Sequence, residues 1–213
     1  MDSASGGMKD ARDNEFQAIL PIRGKILNVQ KAPLEKILAN AEIVAMINTF
    51  GLQLDPKSKK ITFDVNNLRY GKIIIAADAD IDGSHIQSLF YTFIWKYAPE
   101  LFQQGYIYAS IPPLYRITMS NKYLYLKDDK ALEEFKQQHL GKKYIITRNK
   151  GLGEQDAEEL EETILNPKTR TLKKIQVSDI QTTDSLFNKL MGDNVTERKK
   201  YIEQHSNKKE VNI

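Results

Sequence analysis

Lys72-Ile73-Ile74-Ile75-Ala76-Ala77-Asp78-Ala79-Asp80-Ile81-Asp82-Gly83-Ser84-His85 decides how the rest of the chain is read. Its first half is an apolar, largely β-branched run without polar alternation, the pattern of a parallel strand covered on both faces. Its second half sets three carboxylates within five residues, directly after that strand. Like charges so close repel unless a cation sits among them, and a divalent metal is the simplest reason to place them together. Oxygen donors favour Mg²⁺, Mn²⁺ or Ca²⁺ over zinc. Two other readings use the same letters. D-x-D-x-D-G matches the first half of an EF-hand calcium loop, but the twelfth position is Leu89 instead of Glu, and the loop is entered from a strand. Alternatively, the acidic turn caps the following helix, with Asp82 favouring the macrodipole. Capping needs one carboxylate, and here there are three.

Outward from this stretch the chain alternates. Ile86, Leu89, Phe90, Phe93, Ile94, Tyr97 and Leu101 mark one face of a long helix, and Tyr106 to Ser110 reads as the next strand, stopped by Pro112-Pro113. Strand, helix, strand is a βαβ unit with an expected right-handed crossover, which implies an α/β fold with an open, Rossmann-like, mostly parallel sheet flanked by helices. Its functional crevice lies at the C-terminal ends of the strands, where the acidic loop falls. Upstream, residues 2–7 read as a Gly/Ser-rich loop and Ala18 to Ile22 as a candidate strand. Two short helices follow Pro33, with Asn40 placed to cap the second and Gly51 to end it. Residues 52–67 read as a polar surface connection. Downstream, Tyr115–Thr118 and Lys122–Leu126 suggest a hairpin, residues 130–139 a helix, and Tyr144–Thr147 a strand. A Glu-rich helix from about Gln155 to Leu165, a strand-like Thr171–Val177 and a helical region from about Asp184 to Glu203 complete a smaller α+β region. A soft boundary near residue 118 separates the two regions, 1–118 and 119–213.

Composition limits the possibilities without choosing among them. The 213 residues, 41% hydrophobic and 28% charged, are those of an ordinary globular protein. Cysteine is absent, which rules out disulfides and thiolate metal sites and suits a reducing, cytoplasmic location. No apolar run approaches the roughly 20 residues of a spanning helix, and the first residues lack a signal-peptide pattern, so no membrane association is expected. A net charge of +3, with both signs interspersed, does not by itself argue for nucleic acid.

Six segments in register resemble one family, the B subunits of bacterial type IIA DNA topoisomerases, in their TOPRIM domain and C-terminal region. The strand and acidic loop are similar to the family's D-x-D-x-D-G element. Ile19-Leu20-Pro21-Ile22-Arg23-Gly24-Lys25-Ile26-Leu27-Asn28-Val29 is similar to L-P-L-[RK]-G-K-I-L-N-V. Leu68-Arg69-Tyr70, Pro112-Pro113-Leu114-Tyr115, Lys150-Gly151-Leu152-Gly153-Glu154 and Leu190-Met191-Gly192 with Arg198-Lys199 match further motifs in order. The resemblance implies residues 1–118 as the TOPRIM domain and 119–213 as the C-terminal region of the B subunit of DNA gyrase or topoisomerase IV, without deciding between the two. The family's first motif, E-G-D-S-A-x-G-G, is represented only by Asp2-Ser3-Ala4-Ser5-Gly6-Gly7, with Met1 in place of the glycine and no catalytic Glu. The expectation is therefore a fragment without its ATPase domain, inactive alone, with ATP bound only in the missing N-terminal part.

For the whole enzyme the resemblance implies an ATP-hydrolysing isomerase, chromosome-associated in a bacterial cytoplasm, in which two B subunits join two A subunits on double-stranded DNA. A tyrosine of the A subunit attacks the phosphodiester, and Mg²⁺ in the TOPRIM domain assists. Asp78 and Asp80 are then the catalytic and metal-binding carboxylates, with Asp82 as an outer-shell or loop-shaping ligand. Lys25, Asn28, His85 and Arg198 are candidate DNA contacts. Each has a plainer reading: a solvated lysine for Lys25, a locally bonded helix-start histidine for His85, and a solvated basic run for Arg198. Lys150 and the following Gly-Leu-Gly turn could cradle an anion, although Glu154 argues for a structural loop. Two other function classes share parts of the pattern. TOPRIM primases and overcoming-lysogenization-type nucleases lack R-G-K-I-L-N-V and K-G-L-G-E, and a chain that only docks the A subunit and DNA would perform no chemistry itself.

Overall fold

A computed structural model describes residues 3–55, 57, 58, 60–78, 80–120, 122–149 and 151–206. In chain order the elements are α1 (Ser3–Ala11), α2 (Leu34–Leu38), α3 (Ala41–Phe50), β1 (Gln53–Leu54), β2 (Ile61–Thr62), β3 (Ile73–Ile75), α4 (Ile81–Tyr97), α5 (Glu100–Gln103), β4 (Ile107–Ser110), β5 (Tyr115–Met119), β6 (Lys122–Leu126), α6 (Asp129–Gln138), β7 (Ile145–Arg148), α7 (Ala157–Leu160), β8 (Leu172–Lys174), α8 (Ile180–Met191) and α9 (Val195–His205). They form two compact units built from the described parts of residues 1–24, 72–87 and 107–175, and of residues 25–71, 88–106 and 176–213. The units are discontinuous in sequence, whereas the boundary near residue 118 divides the chain by order.

In the first unit the apolar run becomes β3, with Ile73 and Ile75 both buried. It pairs in parallel with β4, Ile73 opposite Ile107 and Ile75 opposite Ala109, and α4 lies between the two in the chain. This is the expected βαβ order of an α/β fold. On the other side of β4, β8 adds an antiparallel partner, Tyr108 opposite Lys174. A second, antiparallel sheet has the order β6-β5-β7. Ile117 at its centre is completely buried and clusters with Tyr115 and with Leu132 and Phe135 of α6. The i, i+3 spacing in α6 puts that apolar pair on one face, and the Asp128 side chain caps the helix by accepting from Ala131 N.

A second cluster positions the acidic loop. Met8 of α1, Leu152, Leu160, Ile164 and Leu165 bury together, with Ile19 and Ala76 packed against them. Burial of a side chain this size stabilises by about 1.5–3 kcal/mol, so Ala76 leaving β3 and Leu152 following β7 are held at one anchor. Two expectations change here. Residues 2–7 were expected as a loop, but helix α1 runs from Ser3. Gly7 lets that helix approach α7, since a Cβ there would lie 3.0 Å from Leu160 Cδ1. The stretch Ala18 to Ile22 has no strand pairing. Pro21 removes a ladder donor, and Ile19 is used as a packing residue instead.

The second unit is mainly helical. Asn40 caps α3, its side chain accepting from Ile43 N at 3.0 Å, and Gly51 ends the helix at φ 71°. A Cβ on Gly51 would also stand 2.7 Å from Asn67 O, so that position demands glycine twice over. Residues 52–67 contain the short hairpin β1–β2 and a turn capped by Asp64, more order than a polar connection implies. Phe50 meets Phe90 edge to face at 5.9 Å. Trp95 stacks on Phe187 at 5.7 Å and donates through Nε1 to Asp184. The C-terminal helical region is two helices, with Asn194 capping α9. Among the described residues, no helix is long and apolar enough to cross a membrane.

Candidate functional site

The acidic loop leaves the C-terminal end of β3 and enters α4 at Ile81. Asp80 acts as the cap of that helix. Its Oδ1 accepts from Gly83 N at 2.6 Å, and its carbonyl accepts from Ser84 N and Ser84 Oγ. Gly83 is buried because α4 starts against the loop itself: a Cβ there would lie 2.1 Å from the backbone oxygen of Asp78. Asp82 is exposed in the first turn of α4, where the helix dipole favours a carboxylate. The capping reading therefore accounts for Asp80 and suits Asp82, but not Asp78.

Asp78 turns the other way. Its Oδ1 accepts from Leu152 N at 2.8 Å, across 74 residues of sequence. Leu152 opens the turn Leu152–Glu154, and Gly151 just before it lies against the same carboxylate, where a Cβ would come within 3.2 Å of Oδ2. The Gly-Leu-Gly turn thus holds an anion, and that anion is the side chain of Asp78. Lys150, the other half of that expectation, lies outside the described residues. Nothing in residue spacing links positions 78 and 152. The available signal was the pair of glycines flanking Leu152.

The turn is braced from its other side. Asn149 N donates to Leu114 O at 2.9 Å, and Asn149 Nδ2 donates to Pro113 O and to Glu159 Oε1. Glu159 is almost fully buried and also accepts from Arg116 Nη1 at 2.9 Å. Burial raises its carboxyl pKa, opposed by the Arg116 charge and the Asn149 hydrogen bond. Burial, followed by the nearby Glu159 and Glu162 charges, pushes Tyr125 up to about 12.

The donor set around the acidic loop is hard oxygen. Two carboxylates, Asp78 and Asp80, are each oriented by a backbone amide. Among the described residues no three His, Asp or Glu side chains gather as a cage. Hard oxygen donors of this kind suit Mg²⁺, Mn²⁺ or Ca²⁺ rather than zinc.

His85 is exposed on α4, three residues beyond Asp82. Lys25, Asn28 and Arg198 belong to the second unit. Lys25 is exposed and follows Gly24 at φ 70°, with Ile26 and Val29 buried just after it. Asn28 is used internally: Nδ2 donates to Met191 O at 2.9 Å and Oδ1 accepts from Gln30 N. Lys96 Nζ donates to Val29 O, and Gln30 pairs with Asn188, so the whole segment is pinned. Arg198 Nη2 donates to Gly192 O. Asn28 and Arg198 thus brace the adjacent carbonyls of Met191 and Gly192, a shared role that sequence reasoning did not anticipate.

Comparison with known proteins gives a consistent picture. Residues 1–111 match the family profile of the Toprim domain, and residues 141–203 match that of the DNA gyrase B subunit, carboxyl terminus. The chain is 49% identical over 213 residues to the DNA gyrase B subunit of Mycoplasma pneumoniae, covering 100% of this chain and 32% of that protein. It is 46% identical over 212 residues to the Thermus thermophilus protein of the same name, covering 100% of this chain and 33% of the relative. For that of Thermotoga maritima the identity is 45% over 213 residues, again covering 100% and 33%. The chain therefore spans about a third of the length of these curated relatives.

Proposed function

This chain belongs to the Toprim family and carries the carboxyl-terminal region of DNA gyrase B subunits, and from that premise we propose that it is the metal-binding part of a type IIA DNA topoisomerase. In this reading it assists the cleavage and religation of double-stranded DNA by a tyrosine on a partner A subunit. The names of its relatives favour gyrase over topoisomerase IV. The observation that carries the proposal is the pair of carboxylates at the C-terminal end of β3, Asp78 and Asp80, each fixed by one backbone N–H.

Asp78 and Asp80 would hold Mg²⁺, and Asp82 would shape the loop from the first turn of α4. Divalent ions held there would supply electrostatic stabilisation, one for charge developing on the leaving 3′-oxygen and a second for a neighbouring phosphate. The protein's own part is orientation. Amide hydrogen bonds keep the carboxylates from swinging, and the buried cluster under Ala76 and Leu152 keeps the two supporting segments in register. Lys25 and His85, both exposed, are assigned to DNA phosphates. Asn28 and Arg198 position the 191–192 turn and are assigned to DNA beside it. ATP belongs to a part of the enzyme outside this chain. The assembly proposed is two A and two B subunits in the bacterial cytoplasm.

The test is cleavage of supercoiled plasmid by a B subunit carrying this segment, with Mg²⁺, the cognate A subunit and a cleavage-stabilising inhibitor. Covalently linked breaks are expected, and Asp78→Ala should abolish them. Cutting by the B subunit without any A subunit would replace this mechanism with that of a Toprim nuclease.

A further inference from the structure

We propose that the Gly151-Leu152 turn is the positioning element of the candidate metal centre, and that it makes the site prefer Mg²⁺ to Ca²⁺ by confining Asp78 to one coordinating oxygen. The inference rests on the metal reading above and adds to it a cause of ion selectivity. Leu152 N–H occupies Asp78 Oδ1 at 2.8 Å. Gly151 closes one side of the carboxylate, where a Cβ would sit 3.2 Å from Cγ and 3.3 Å from Oδ1.

The turn that does this is itself fixed. Leu152 is 5% exposed within the cluster of Met8, Leu160 and Ile164. Asn149 ties the approach to Pro113, Leu114 and Glu159, and Arg116 fastens Glu159 in turn. A carboxylate gripped at Oδ1 by a rigid amide cannot rotate to offer both oxygens equally. Mg²⁺ takes carboxylates one oxygen at a time in near-octahedral geometry and keeps its waters. Ca²⁺ takes more ligands and readily accepts both oxygens of a carboxylate. Restriction to one oxygen therefore costs Ca²⁺ more than Mg²⁺.

The experiment measures binding of Mg²⁺ alone and of Ca²⁺ alone by calorimetry on the full chain and three variants. The first replaces the Leu152 backbone amide with an ester, by incorporating the α-hydroxy analogue of leucine, which deletes the N–H and keeps the buried side chain. The second is Gly151→Ala, tolerated by the extended backbone there, φ −160° and ψ 159°. The third, Asp78→Ala, tests the underlying metal reading. Melting curves establish that the variants fold.

Loss of a hydrogen bond to a charged acceptor corresponds to about a tenfold effect or more. The ester is expected to strengthen Ca²⁺ binding by up to about tenfold and to leave Mg²⁺ nearly unchanged, collapsing the preference, with Gly151→Ala shifting it in the same direction. The splitting of the carboxylate infrared bands on adding Ca²⁺ should also move from the one-oxygen to the two-oxygen pattern in the ester. An equal change for both ions, a loss confined to Mg²⁺, or no change in either, overturns the proposal and leaves the turn a purely structural tie. A parent chain that binds neither ion, or Asp78→Ala binding both as well as the parent, removes the metal reading and the inference with it.

Discussion

Gly83→Ala should be among the most damaging single-methyl additions to this protein. A Cβ at residue 83 would lie 2.1 Å from the carbonyl oxygen of Asp78 and 3.0 Å from its carbonyl carbon, so more than an ångström of separation must be recovered. Neither side yields cheaply. Gly83 N is bonded to Asp80 Oδ1, and the Asp78 side chain is held by Leu152 N. Both clashing partners are backbone, without a rotamer change to relieve them. Overpacking costs about 1–3 kcal/mol, and a backbone-to-backbone conflict belongs at the top of that range. At about 2–4 °C per kcal/mol for a chain of this size, the melting temperature should fall by about 6–12 °C. Divalent-metal binding should weaken as well, because relief of the clash moves Asp78. Gly6→Ala is the matched control: Gly6 lies in α1, nothing stands within 4 Å of its Cβ position, and alanine there should stabilise by about 0.5–1 kcal/mol. Thermal denaturation followed by circular dichroism decides the point. A Gly83→Ala protein melting within about 1 °C of the parent would mean that the Asp78–Gly83 contact can relax without cost.

Glu159→Ala should cost about 3 kcal/mol in a denaturant titration, because it leaves the largely buried Arg116 and Asn149 without their shared acceptor, while Glu159→Gln should cost clearly less. Tyr125 carries a pH signature. Its folded pKa of about 12 lies above the ordinary 10.0, so the stability it contributes is complete below pH 10 and lost as pH rises toward 12. Ultraviolet titration should show a late-ionising phenol that Tyr125→Phe removes and Glu159→Gln shifts downward. A Tyr125 that ionises at the ordinary value would contradict its burial beside these acids. Asn40→Ala should destabilise by about 1 kcal/mol in thermal melts through loss of the α3 cap, and no loss would mean that water replaces the side chain at Ile43 N without penalty.

The parts legible in the sequence were those governed by short-range rules. The unbroken Ile73–Ile75 run, the helical spacing of Leu89, Phe90 and Phe93, and the cap pair Asn40 and Gly51 each announce one structure, and β3, α4 and α3 follow. Residues 2–7 misled because glycine normally disfavours helix by about 1 kcal/mol. Packing of α1 against α7, with Gly7 close to Leu160, offsets that preference, and no local pattern reveals it. Ala18 to Ile22 is apolar for a packing reason, which letters alone do not distinguish from pairing in a strand.

The candidate site divides in the same way. Three clustered carboxylates advertise themselves, but their separate uses do not: Asp80 caps α4, while Asp78 reaches a turn 74 residues away. The bonds from Asn28 to Met191 and from Arg198 to Gly192 are equally invisible, since they depend on where the last two helices meet the chain. A basic run such as Arg198-Lys199-Lys200 reads as solvated until one of its members is found bracing a carbonyl.

The most direct test of the account is a crystal structure of this chain grown with Mn²⁺, with the ion located by its anomalous scattering. Metal binding at this loop predicts a peak against the carboxylate oxygens of Asp78 and Asp80, at about 2.2 Å, with Leu152 N still bonded to Asp78 Oδ1 and the peak lost in Asp78→Ala. Mn²⁺ bound elsewhere, with both carboxylates clear of it, would contradict it.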